Sequence, residues 1–114
     1  MSKRVLLTGA SGAVGSHMLE YLLEHTDWNF TCIASWKHRG NPLFIDPTNP
    51  RTTVITHDLT APIPEIGIFD HIISAASESH VCRSIANPVD FIMNNVALAT
   101  NTLDYARTHP CKSF

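Results

Sequence analysis

Three glycines, Gly9, Gly12 and Gly15, recur every third residue directly after the apolar run Val5-Leu6-Leu7-Thr8. They lead into a stretch with helical spacing. In a strand-turn-helix unit each glycine has a physical task. The first permits a tight turn, the second lets backbone N–H groups approach a pyrophosphate, and the third lets the helix lie close on the sheet. The helix N-terminus adds unpaired N–H groups and a partial positive charge. Ser11 can add a hydroxyl donor. No Gly-Lys-Ser/Thr follows, which excludes the nucleoside-triphosphate P-loop. A turn with incidental glycines is the competing reading, but three of only five glycines in the chain fall here. The chemistry expected is noncovalent capture of a dinucleotide phosphate.

A second segment bears on which dinucleotide. Proteins that prefer NAD carry an acidic residue about 20 positions past the glycine loop, on the ribose 2′-hydroxyl. Here that region is Ser35-Trp36-Lys37-His38-Arg39, without Asp or Glu. Ser35 can donate to a 2′-phosphate and Lys37 or Arg39 can pair with it. The expectation leans to NADP over NAD. The alternative keeps Lys37 and Arg39 solvated and leaves Ser35 to the 2′-hydroxyl.

These residues need elements to place them. Val5–Thr8 reads as a buried parallel strand. Residues 13–25 carry Val14, Met18 and Leu22, with Leu19 and Leu23, at helical spacing. Further strands are expected at Asn29–Ser35, Thr52–His57 and Asp70–Ala76, with a surface loop over 37–51. The link from Leu59 to Phe69 holds Pro62, Pro64 and Gly67, and has room for little more than a turn of helix. Asn87-Pro88 opens a long helix, with Asn at the cap and Pro in the first turn. Ile92, Val96, Ala99, Leu103 and Ala106 step along it by four and three, so one face is expected to be buried throughout. Lys112-Ser113-Phe114 reads as the beginning of a fifth strand, cut off. Strands alternating with helical or long connections predict an α/β, Rossmann-type doubly wound parallel sheet, truncated after about four strands. Residues 1–114 would form an incomplete dinucleotide-binding domain, with the substrate domain absent.

Composition is compatible with this. The 114 residues are 44% hydrophobic and 16% charged, with a net charge of −2 and no block of like charge. Neither a nucleic-acid surface nor a polybasic membrane patch is indicated. No apolar run approaches the length of a membrane span, and no signal peptide is visible. Cys32, Cys82 and Cys111 are widely separated, so they are expected to be reduced thiols in a cytoplasmic protein rather than a disulfide or zinc framework. The seven histidines show no ligand spacing, and no metal site is expected.

Thr8-Gly9-Ala10-Ser11-Gly12-Ala13-Val14-Gly15 resembles the signature of the extended short-chain dehydrogenase/reductase family. His57-Asp58-Leu59 is similar to that family's acidic-apolar pair after the third strand. The stretch Ser74 to Ile85 resembles nucleotide-sugar dehydratases and epimerases, and so do Asn87-Pro88, Asn94-Asn95-Val96 and Ala106-Arg107. Leu98 and Ala99 depart from a common Gly-Thr, and Cys82 from a frequent Asp. The resemblance implies that Gly9, Ser11, Gly12, Ala13 and Val14 face the pyrophosphate. Asp58 and Leu59 would line the adenine pocket. Ala75, Ala76 and Ser77 would border the ribose and nicotinamide, with Ser79, His80 and Val81 reaching toward the active site. It also implies a nucleotide-sugar substrate in a full-length form and a homodimer through the 88–108 helix.

Catalysis in that family resembles general acid–base work by a tyrosine with a lysine four positions on. Neither Tyr21 nor Tyr105 forms Tyr-x-x-x-Lys, and the resemblance places the motif beyond Phe114. No catalytic residue is therefore assigned, and residues 1–114 alone are expected to show no turnover. The apolar fourth strand would be an open edge, and the long helix would expose Ile92 and Leu103 or their flanks, favouring marginal stability or self-association. The front part of an NAD(P)-dependent epimerase, dehydratase or decarboxylase is the leading reading. A non-catalytic dinucleotide- or partner-binding module and a dimerising structural protein remain as alternatives.

Overall fold

The computed structural model describes residues 3–9, 13–34, 49–76 and 85–114. The elements are β1 (Arg4–Thr8), α1 (Ala13–His25), β2 (Asn29–Ala34), β3 (Thr52–Thr56), β4 (His71–Ser74) and α2 (Pro88–Thr108). The strands form one parallel sheet in the order β3-β2-β1-β4. The chain moves outward from β1 to β3, then returns to place β4 on the other side of β1. That reversal is the switch point of a Rossmann-type α/β sheet, as expected.

Alternation along the central strands divides the core into two layers. Val5 and Leu7 join Phe30, Cys32, Ala34 and Leu19 of α1. Leu6 joins Ile33, Leu59, Phe69, Ile72 and Tyr105 of α2. Arg51, just before β3, closes the end of α1: its guanidinium donates to the carbonyls of Thr26 at 2.6 Å, Trp28 at 3.2 Å and Leu23. Carbonyls at the end of a helix otherwise lack partners.

Helix α2 corrects the expectation of a face buried throughout. Its bounds match, but most of its apolar stripe is uncovered: Ile92 and Leu103 are 59% and 52% exposed, as expected for an open flank, and Val96 and Ala99 are also exposed. The buried face carries Thr102 and Tyr105, with Leu98 and Ala106 partly covered. Thr102 can lie there because its hydroxyl donates to the Leu98 carbonyl at 2.8 Å. Tyr105 can because its hydroxyl donates to Gly67 O at 2.6 Å and accepts from Ile66 N at 3.1 Å. Leu98, in place of a smaller residue, fills space against the Leu6 layer. At the start of α2, Asn87 is the capping position and Pro88 opens the helix, as expected, and the Asn87 side chain makes no cap hydrogen bond.

The expected ends of β3 and β4 contract by one to three residues, with His57, Asp70, Ala75 and Ala76 flanking their strands, and Ser35 lies outside the described residues. Most of the 37–51 loop is also outside them. The last residues do begin to pair as a fifth strand. Ser113 forms a parallel bridge to His71, and its carbonyl accepts from Ile72 N at 3.0 Å. Cys32 and Cys111 are free thiols, and burial pushes the Cys32 thiol up to about 12, which keeps it protonated and unreactive. Cys82 lies outside the described residues. Among the described residues no helix is long and apolar enough to cross a membrane.

Candidate functional site

In an open α/β sheet, ligands bind outside the carboxyl ends of the strands at the switch point. Here that point lies between the ends of β1 and β4. Gly9 leaves β1 with φ 75°, in the region that favours glycine. A Cβ on Gly9 would lie 2.7 Å from the Ala75 carbonyl group and from Ala76 N. Both constraints demand glycine: a left-handed turn, and a neighbouring backbone too close for any side chain.

Thr8 sets that closeness. Its fully buried hydroxyl accepts from Ala75 N at 3.1 Å and Ala76 N at 3.2 Å, while its carbonyl accepts from Ala75 N at 3.3 Å. On the other flank, Gly9 N donates to Ile33 O at 3.3 Å. The carboxyl ends of three adjacent strands are thus tied together under the glycine turn. The sequence reading did not assign Thr8 to the site. Its only sign there is a hydroxyl residue closing an apolar strand directly before glycine.

Helix α1 begins at Ala13, close behind the turn, and has no acidic residue in its first turn. A carboxylate there would compete with phosphate for the helix N-terminus. Gly15 is buried, consistent with close approach of α1 to the sheet, and Val14 is exposed. Ser11 and Gly12 lie outside the described residues, as do Ser35, Lys37, Arg39 and Ser77. So do Ser79, His80 and Val81.

At the end of β3, Asp58 closes a turn. Its carboxylate accepts from Thr60 N at 3.0 Å and its carbonyl from Ala61 N at 3.0 Å. Leu59 is 4% exposed and its side chain belongs to the Leu6 layer, so it supports the edge from below. Gly9, Asp58, Ala75 and Ala76 therefore all sit on the carboxyl edge of one sheet. Neither tyrosine is part of it. Tyr21 is exposed with its ring stacked on His25, and the Tyr105 hydroxyl is committed to the backbone of residues 66 and 67.

The chain is similar to known proteins along nearly its whole length. A family model described as "Epimerase: NAD dependent epimerase/dehydratase family" matches residues 5–114. The dTDP-glucose 4,6-dehydratase of Escherichia coli is 29% identical over 113 residues, covering 93% of this chain and 31% of its own. A UDP-N-acetylglucosamine 4-epimerase from Methanobrevibacter ruminantium M1, solved in complex with UDP-N-acetylmuramic acid, superposes with a TM-score of 0.84 at 23% identity. That match covers 97% of this chain and 36% of the epimerase. The Bordetella bronchiseptica enzyme WbmH, solved in complex with NAD+, superposes with a TM-score of 0.75 at 20% identity, covering 96% and 36%. At these identities the superpositions show a shared fold. The chain spans about a third of the length of the curated relatives it matches. Because the family model matches residues 5–114, nearly the whole chain, the chain belongs to the NAD dependent epimerase/dehydratase family.

Proposed function

We propose that residues 1–114 act as the dinucleotide-binding part of a nucleotide-sugar epimerase- or dehydratase-like oxidoreductase. The observation that carries this is the Gly9 turn, whose backbone admits no side chain and which opens at the sheet's switch point. In this reading the pyrophosphate lies against Gly9, Ser11, Gly12, Ala13 and Val14, with Gly15 allowing α1 to close on the sheet. Asp58 and Leu59 form the adenine side, and Ala75, Ala76 and Ser77 the ribose and nicotinamide side. The bound cofactor supplies hydride transfer, while this part of the chain binds and orients it.

The family description names NAD. Ser35, Lys37 and Arg39 nevertheless favour NADP by their types, since a 2′-phosphate pairs with cations and no acid stands there to repel it. Calorimetric titration with both cofactors tests the reading. Saturable 1:1 binding with NADP+ about tenfold tighter is expected, the worth of one charge-assisted hydrogen bond. Equal affinities overturn the preference, and no binding of either overturns the reading.

Turnover is assigned to a form that also supplies Tyr-x-x-x-Lys and a nucleotide-sugar site. Residues 1–114 alone are expected to bind without catalysis, and a cofactor-dependent rate from them would contradict this. The exposed stripe of α2 supports a homodimer, because an apolar face of this kind lowers its free energy by covering itself.

A further inference from the structure

The link from β3 to β4 crosses the sheet as a turn and extended chain, without a helix of its own. Its backbone therefore depends on side chains from elsewhere, and the inner face of α2 supplies two. Tyr105 grips the later half through Ile66 and Gly67. Asn101 grips the beginning: its Nδ2 donates to the Leu59 carbonyl at 2.6 Å.

That carbonyl is in the Asp58 turn. The Leu59 side chain is anchored in the core, which fixes where Leu59 sits. Burial of an apolar side chain does not fix the orientation of the peptide plane beside it, because the hydrophobic effect is non-directional. A hydrogen bond to the carbonyl does fix it. The peptide plane between Leu59 and Thr60 carries both the carbonyl held by Asn101 and the N–H that Asp58 accepts. The bond from α2 thus acts with the Ala61 N–H bond to the Asp58 carbonyl in holding the geometry at the Asp58 carboxylate. We infer that Asn101 is a positioning residue for the Asp58 turn and thereby sets affinity for the adenosine half of the dinucleotide. The inference rests on the dinucleotide-binding reading above.

The test uses Asn101→Leu, which keeps the size and removes the donor, and Asn101→Gln, which keeps an amide on a longer stem. Two quantities are measured: amide hydrogen exchange at Thr60 and Ala61 without ligand, and affinity for ADP and for nicotinamide mononucleotide. In Asn101→Leu, exchange at both amides should accelerate about fivefold and the Kd for ADP should rise about fivefold, as for loss of one ordinary hydrogen bond. Nicotinamide mononucleotide affinity should not change, and Asn101→Gln should recover part of both losses. Unchanged exchange at Thr60 and Ala61 overturns the inference, as does an equal loss of affinity for both ligands, which marks a general structural role. If the unaltered chain binds no ADP, the dinucleotide reading is what fails, and the exchange result still decides whether Asn101 holds the turn.

Discussion

Helix α1 sets Leu19 into the core against the β1–β2 layer, with Leu22 and Leu23 partly covered beside it. Helix α2 has the more regular apolar stripe, yet it turns Ile92, Val96 and Leu103 to water and meets the sheet with Thr102 and Tyr105. The difference teaches what periodicity measures. A stripe at helical spacing says that a face gains by being covered. It does not say which neighbour covers it. In α1 the neighbour is the sheet. In α2 the buried face carries Thr102 and Tyr105, whose hydroxyls are satisfied by Leu98 O and by the backbone of residues 66 and 67, with Leu98 and Ala106 beside them, and the stripe is left for another surface.

The comparison can be sharpened first at the turn joining β1 to α1. Gly9→Ala should cost about 3 kcal/mol or more, since it combines a left-handed backbone with a clash against immovable backbone atoms. A urea midpoint within experimental error of the parent would refute the account of that turn. Leu19→Ala should cost about 2–4 kcal/mol through cavity formation. Its counterpart on α2, Leu103→Ala, should stay within about 0.5 kcal/mol when measured on the monomer at low concentration. Equal losses at the two positions would break the contrast between the helices.

A smaller effect is expected from Tyr105→Phe, about 1–2 kcal/mol, because Ile66 N and Gly67 O lose their partner beneath the link. A neutral result would mean that the ring alone holds the segment. The smallest effect is with pH. Donation from Arg4 N, followed by the charge of Lys112, holds the Asp70 carboxyl below its ordinary value. The hydrogen bond from His109 does the same for Glu65. Carboxyls lowered in the folded state stabilise it above their unfolded range, and this is lost as pH falls through the folded values. Stability should therefore decline as pH drops through and below the ordinary carboxylate range. Asp70→Asn and Glu65→Gln should each flatten that decline in urea titrations, and an unchanged slope in both would remove these pairs from the account.

Much of this fold is legible in the sequence because it rests on local patterns. The glycine turn follows from residue type, α1 and α2 follow from spacing and punctuation, and the parallel order follows from alternation with long connections. What is not legible depends on partners distant along the chain. Thr8 looks like an ordinary strand residue until Ala75 and Ala76 arrive from β4 with two N–H groups for its hydroxyl. Asn101 looks like a solvated helix residue, since its acceptor, Leu59 O, is 42 positions away. The burial of Tyr105 depends on a link with no helical pattern to announce it.

The most direct test of the central claim is a titration of the isotopically labelled chain with NAD+ and NADP+, followed residue by residue through backbone amide resonances. Shifts should gather on the carboxyl edge, at Gly9, Ala13 to Gly15, Asp58 to Thr60 and Ala75-Ala76, and should saturate together. Shifts confined to the opposite edge, around Lys3, Asp70 and Lys112, or no saturable shift with either cofactor, would contradict it.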